Sequence, residues 1–264
     1  MENEGLIRIS IFLGLFAVLA ILERIIPKRT FATSTSQRWM TNWGFSVINT
    51  LSLRLLGVVL PFLAVGATLD AQAKGWGLLN LWNGPAWIEI IIAILILDFA
   101  IWAQHLITHK IPILWRLHQV HHADVEMDVT TAIRFHPFEI ALSMLLKIGL
   151  VYLLGPSALA VILFEILLNG TAMFNHSNLA LPKRLDRLLR MIIVTPDMHR
   201  IHHSINRHEH DSNYGFSLSL WDRLFGTYIE QTQSGDGAVV TGLRWQDTRP
   251  TQLGWSLLLP FRRK

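Results

Sequence analysis

Long apolar runs alternate with short polar stretches along the chain, and this alternation predicts its elements. Residues 6–26 form an apolar run that reaches the roughly 20 residues a membrane-spanning helix needs. No small-residue cleavage site follows it, so it reads as an uncleaved signal-anchor helix with Glu23 and Arg24 at the interface. A polar, Ser/Thr-rich connector (27–37) leads to a second run, 43–69, which carries Arg54. A charge there must snorkel or find a partner. Past a loop with Gly75, Gly77, Gly84 and Pro85, a third run covers 87–107. The chain is then polar and histidine-rich from 105 to 136. It turns apolar again over 138–174, where Gly155-Pro156 predicts the turn of a helical hairpin. From Asn175 it is polar and basic, with short helical patterns such as 185–193, and it ends in Phe261-Arg262-Arg263-Lys264.

The expected fold is all-α: multi-pass transmembrane helices with a histidine-rich helical cap on the cytoplasmic face. Residues 1–97 would be membrane helices, 98–230 the histidine region with a membrane hairpin at 138–175, and 231–264 a C-terminal cytoplasmic tail.

Composition sharpens this picture. Of 264 residues 51% are hydrophobic and only 16% charged, against about a quarter in a soluble domain. Trp39, Trp43, Trp76, Trp82, Trp87, Trp102 and Trp115 lie near segment ends and suit an interfacial aromatic belt. The net charge of +4 is explained by basic residues flanking membrane segments, without nucleic-acid binding. Cysteine is absent, which excludes disulfides, thiolate-ligated metals and iron–sulfur clusters in this chain.

Loop charge sets the expected orientation. The first connector carries Lys28, Arg29 and Arg38, with Arg24 beside it, whereas the second carries only Lys74. The positive-inside rule puts the first in the cytoplasm. All twelve histidines then fall on that side or at its membrane boundary.

Three clusters carry the chemistry: His105 and His109 as HxxxH, then His118, His121 and His122, and His199, His202 and His203, both as HxxHH. Residues i, i+3 and i+4 share a helix face. Eight imidazoles on three such faces can converge on two metals with positions left open. Imidazole stays neutral near pH 7 and suits Fe, Zn, Cu and Ni, so ligand type does not choose the metal. There is no HExxH, no Glu-x-x-His carboxylate pattern, no nucleotide-binding glycine motif and no GxSxG.

These clusters, with Trp102 and Leu114-Trp115 before the first two, resemble the fatty acid hydroxylase/sterol desaturase superfamily of membrane di-iron enzymes. Arg134-Phe135-His136-Pro137, Asn175-His176-Ser177-Asn178, Thr195-Pro196-Asp197, Asn213-Tyr214-Gly215 and the 221–227 segment from Trp221 to Thr227 add to the match. It covers residues 98–228. The resemblance implies ligation of two Fe ions, with Zn as a substitute, by His105, His109, His118, His121, His122, His199, His202 and His203. It adds His176 at the end of the hairpin; some members have a further histidine where this chain has Ala172. It implies O2-dependent hydroxylation of a lipid C–H bond in the bilayer. Electrons would come from a separate donor, a ferredoxin or cytochrome b5-type protein with its reductase. Desaturation by the same centre, or a non-catalytic membrane metal-binding protein, are the alternatives.

Asp98, seven residues before His105, is expected either to hold a ligating imidazole or to pair with Arg54. His136 reads as a hydrogen-bonded loop residue beside a helix-starting proline, with metal contact as the rival. Asp197, Asn213 and Asp222 are candidates for supporting the ligands or capping helices. His208 and His210 sit in a solvated, charged loop.

Overall fold

The computed structural model describes residues 4–60, 63–232, 239–245 and 247–262, and among these there is no strand, only isolated bridges. Helix α1 is Glu4–Ile25, α2 Thr35–Val59, α3 Ala64–Ala73, α4 Ala86–Lys110 and α5 Pro112–His122. Helices α6 (Pro137–Leu154), α7 (Ala158–His176), α8 (Lys183–Leu189) and α9 (Pro196–His202) follow. Five stretches are long and apolar enough to cross a membrane: Glu4–Ile25, Thr35–Ala73, Ala86–Lys110, Pro137–Leu154 and Ala158–His176. Their outer faces carry exposed Leu, Ile and Val, with Val58 at 84% and Val59 at 79%. In water such a surface would aggregate; it suits hydrocarbon.

The expected second run, 43–69, is two helices. Leu60 leaves the helix at ψ 130, as a residue before proline must, and α3 begins at Ala64. Pro61 and Phe62 lie outside the described residues, as do Arg263 and Lys264 of the basic end.

The hairpin forms where Gly155-Pro156 places it. Gly155 ends α6 in the left-handed conformation (φ 62), and Ser157 caps α7 through Oγ, which accepts from the Ala160 N–H. A Cβ on Gly77 (φ 101) would collide with the Gly155 backbone, and one on Gly155 with the Trp76 carbonyl. Glu89 near the start of α4 accepts from the Ser157 N–H and hydroxyl, both at 2.9 Å. This pins one end of the bundle. Because α4 and α7 run away from it, their histidine-bearing ends meet at the other.

That other end is closed by charge and packing. Glu23 turns inward and accepts backbone N–H groups from Val129 (2.8 Å) and Asn178 (2.6 Å). Arg38 on α2 forks to Asp124 and Asp128 behind α5. The C-terminal segment, expected as a tail, packs here: Leu253, Trp255 and Leu259 join Phe45 and Val120 in one apolar cluster. The tryptophan belt is only partly present. Trp76, Trp82 and Trp87 are exposed, but Trp102 is buried and Trp115 packs on His109 and His122.

Candidate metal centre

Two histidines come from the end of α4 (His105, His109), three from α5, one from the end of α7 (His176), and three from α9 and its cap (His199, His202, His203). Proline at the first position of α5 and of α9 starts each short helix where it is needed. All nine are buried, none more than 7% exposed.

They form two groups, each with its ligand atoms within 4.8 Å of one another: His105, His109, His118, His122 and His202; and His121, His176, His199 and His203. Each HxxHH helix serves both. On α5 the i, i+4 pair His118 and His122 joins the first group and His121 the second. On α9 the pair His199 and His203 joins the second and His202 the first.

Hydrogen bonds fix the rings. The Nδ1–H groups of His105, His121, His176 and His202 donate to the carbonyls of Tyr214 (2.7 Å), Arg134 (3.1 Å), Ala172 (2.7 Å) and Ser212 (2.7 Å). His118 donates to Glu139 Oε1 at 2.6 Å. With Nδ1 protonated, Nε2 of a neutral ring presents a lone pair. Yet Nε2 of His105 lies 3.0 Å from that of His118, and Nε2 of His121 lies 3.0 Å from that of His176. Facing lone pairs repel unless a cation sits between them. Ligands at right angles around an ion about 2.1 Å away are separated by about 3.0 Å, so the donor set fits a metal. Both ring nitrogens of His109, His122 and His203 are buried without a hydrogen bond from the protein, another sign of ligand atoms. Burial first, and then the facing imidazoles, push the basicity of His121, His122, His199 and His203 well below the ordinary value. In His202 burial and nearby imidazoles outweigh the Ser212 hydrogen bond, with the same result. All five are held neutral, the form that binds metal.

The other candidates divide. Asp98 contacts neither an imidazole nor Arg54: Oδ2 accepts from Trp221 Nε1 (2.8 Å) and the Leu218 N–H (3.3 Å), tying the 217–221 loop to α4. His136 caps α6, with Nδ1 accepting from the Phe138 N–H (3.3 Å) and Nε2–H donating to the Leu257 carbonyl (3.2 Å), and joins neither metal group. Asp197 pairs with Lys28 at 2.6 Å. Asn213, at φ 51, donates to the Met198 carbonyl (3.1 Å) and so steadies α9. Asp222 accepts from Trp102 Nε1 (3.0 Å) and from the Tyr214 and Gly215 N–H groups (both 2.8 Å), fixing the loop whose carbonyl holds His105. His208 is exposed. His210 is half-buried, stacks on Trp115, and forms a third, less buried group with His109 and Asp211. Glu139 escaped the sequence reading. Its signal was an acid inside an apolar run, just after His136-Pro137.

A cavity of about 740 Å³ opens among α1, α2, α4, α6 and α7 and reaches His105 and His118. The fatty acid hydroxylase family model matches residues 90–227, which hold every one of these histidines. The chain belongs to the fatty acid hydroxylase family. Human alkylglycerol monooxygenase is 32% identical over 173 residues, 64% of this chain and 36% of that protein. Ornithine lipid hydroxylase OlsE of Rhizobium tropici is 23% identical over 220 residues, 83% of this chain and 66% of that protein. A cholesterol 25-hydroxylase-like protein of Danio rerio is 27% identical over 145 residues, 53% of this chain and 55% of that protein. The chain thus spans about a third of the alkylglycerol monooxygenase and under two thirds of the other two. No solved structure matches it significantly. The five apolar helices and the family together make it an integral membrane protein.

Proposed function

We propose that this family member is a di-iron oxygenase that hydroxylates a C–H bond of a membrane lipid, using O2 and electrons from a separate carrier protein. The observation that carries the reading is the paired imidazole groups at the wall of a lipid-sized cavity within the membrane helices. Two relatives, an alkylglycerol monooxygenase and an ornithine lipid hydroxylase, agree with it. Iron bound there supplies O2 activation and the oxidising power for the C–H bond. His105, His109, His118, His122 and His202 would hold one ion, and His121, His176, His199 and His203 the other.

The chain's own part is orientation and exclusion of water. Backbone carbonyls at Tyr214, Arg134, Ala172 and Ser212 lock ring directions before metal arrives. Phe135, Ala132 and Phe216 line the cavity beside His105 and His118, so a lipid carbon can approach without meeting bulk water. A site at the end of the bundle lets substrate enter sideways from the bilayer. We place that end at the cytoplasmic face on the charge of the first connector.

Membranes containing the protein, given reductant, 18O2 and lipid extract, are expected to yield a lipid alcohol carrying the label. An unlabelled alkene would assign desaturation. Iron-loaded, reduced protein that consumed no O2 with any lipid class would favour a metal carrier or sensor.

A further inference from the structure

Of the nine imidazoles, only His118 donates to a carboxylate oxygen within hydrogen-bond distance, among the described residues; the His109–Asp211 separation is 3.7 Å. Oε1 of Glu139 accepts the hydrogen bond from His118 Nδ1–H, while its Oε2 is buried and receives no hydrogen bond from the protein. The side chain is 10% exposed. A bare carboxylate oxygen in a low-dielectric wall is costly unless a donor reaches it.

Its surroundings indicate which donor. Glu139 lines the 740 Å³ cavity and also a second one of about 520 Å³ between α4, α5 and α6. The second is walled by apolar groups such as Phe99, Leu142 and Leu146. The first also carries Asn49, Ser46, Thr50 and Asn169. Among the described residues only Gln104, Thr108 and Glu139 line both, and Gln104 Oε1 accepts from the Ser143 hydroxyl at 3.2 Å. A chain lying in the apolar chamber and a polar end in the amphipathic one would meet at Glu139, beside His105 and His118.

We propose that Glu139 has two separate duties: Oε1 positions His118, and Oε2 accepts a hydrogen bond from a hydroxyl or amide N–H of the lipid. The substrate class is then an amphiphile with such a donor close to the carbon presented to the metal centre. This rests on the lipid-oxygenase reading, so the test avoids turnover.

Zinc-loaded protein in nanodiscs is titrated with hexadecanol and with its methyl ether, and zinc retention is followed under chelator. Wild type is expected to bind the alcohol about tenfold more tightly than the ether, the worth of one hydrogen bond to a charged group. In Glu139→Gln the amide oxygen can still accept from His118, but an NH2 donor replaces the free acceptor. That variant should keep its zinc and lose the preference. Glu139→Ala should lose the preference and release zinc faster. An undiminished preference in Glu139→Gln, or none in wild type, would overturn the substrate contact. Equal zinc release from Glu139→Gln and Glu139→Ala would overturn the division of duties. If the protein proved not to be an oxygenase, the labelled-product experiment would fail while these binding ratios still reported on Glu139.

Discussion

His121→Ala is expected to remove about one of two bound metal ions per chain and to cut lipid hydroxylation by at least ~100-fold. His121 belongs to the four-imidazole group, which has less redundancy than the five-imidazole one. Its ring is stacked 4.3 Å from Phe135 and tied to the Arg134 carbonyl, and its Nε2 faces that of His176 at 3.0 Å. Alanine leaves three imidazoles there, and Ala172, one turn before His176, offers no side-chain replacement. Elemental analysis against protein concentration, with turnover on the same sample, checks both effects. Full metal occupancy in the variant would remove His121 from the ligand set.

Arg38→Ala is expected to destabilise the fold by about 3–5 kcal/mol, the usual consequence of removing one partner of a buried ion pair. Arg38 is 1% exposed and donates to Asp124 (2.7 and 3.0 Å), to Asp128 (2.9 Å) and to the Glu126 carbonyl. Burial pushes the Asp124 carboxyl up, but the charge and hydrogen bonds of Arg38 outweigh it and hold the group at about 2. Without Arg38, two buried carboxylates, Asp124 just past the end of α5 and Asp128, lose the cation they share. Metal content should fall with stability, because α5 is anchored through this cluster. Thermal unfolding in detergent measures the change. A loss below about 1 kcal/mol would mean the carboxylates reach water by another route.

The parts of the fold legible in the sequence are those set by local pattern. Apolar runs of spanning length gave α1 and α4, and Gly155-Pro156 gave the hairpin, because a left-handed glycine followed by proline cannot continue a helix. The nine histidines were legible because helical spacing and the family resemblance already placed them together. What was hidden depended on tertiary partners. Asp98 sits on the same face of α4 as His105, yet its carboxylate serves Trp221, 123 residues away. Trp102 looked interfacial until Asp222 drew it inward. Glu139 resembled an ordinary acid in a helix's first turn, and only the position of His118 gives it a role. The division of each HxxHH between two metal groups was also out of reach, since it depends on how α5 and α9 face each other.

The most direct test is anomalous diffraction at the iron edge from crystals of iron-loaded protein. Two peaks are expected, one among His105, His109, His118, His122 and His202, and one among His121, His176, His199 and His203. A single peak, or density away from these rings, would contradict the two-metal account.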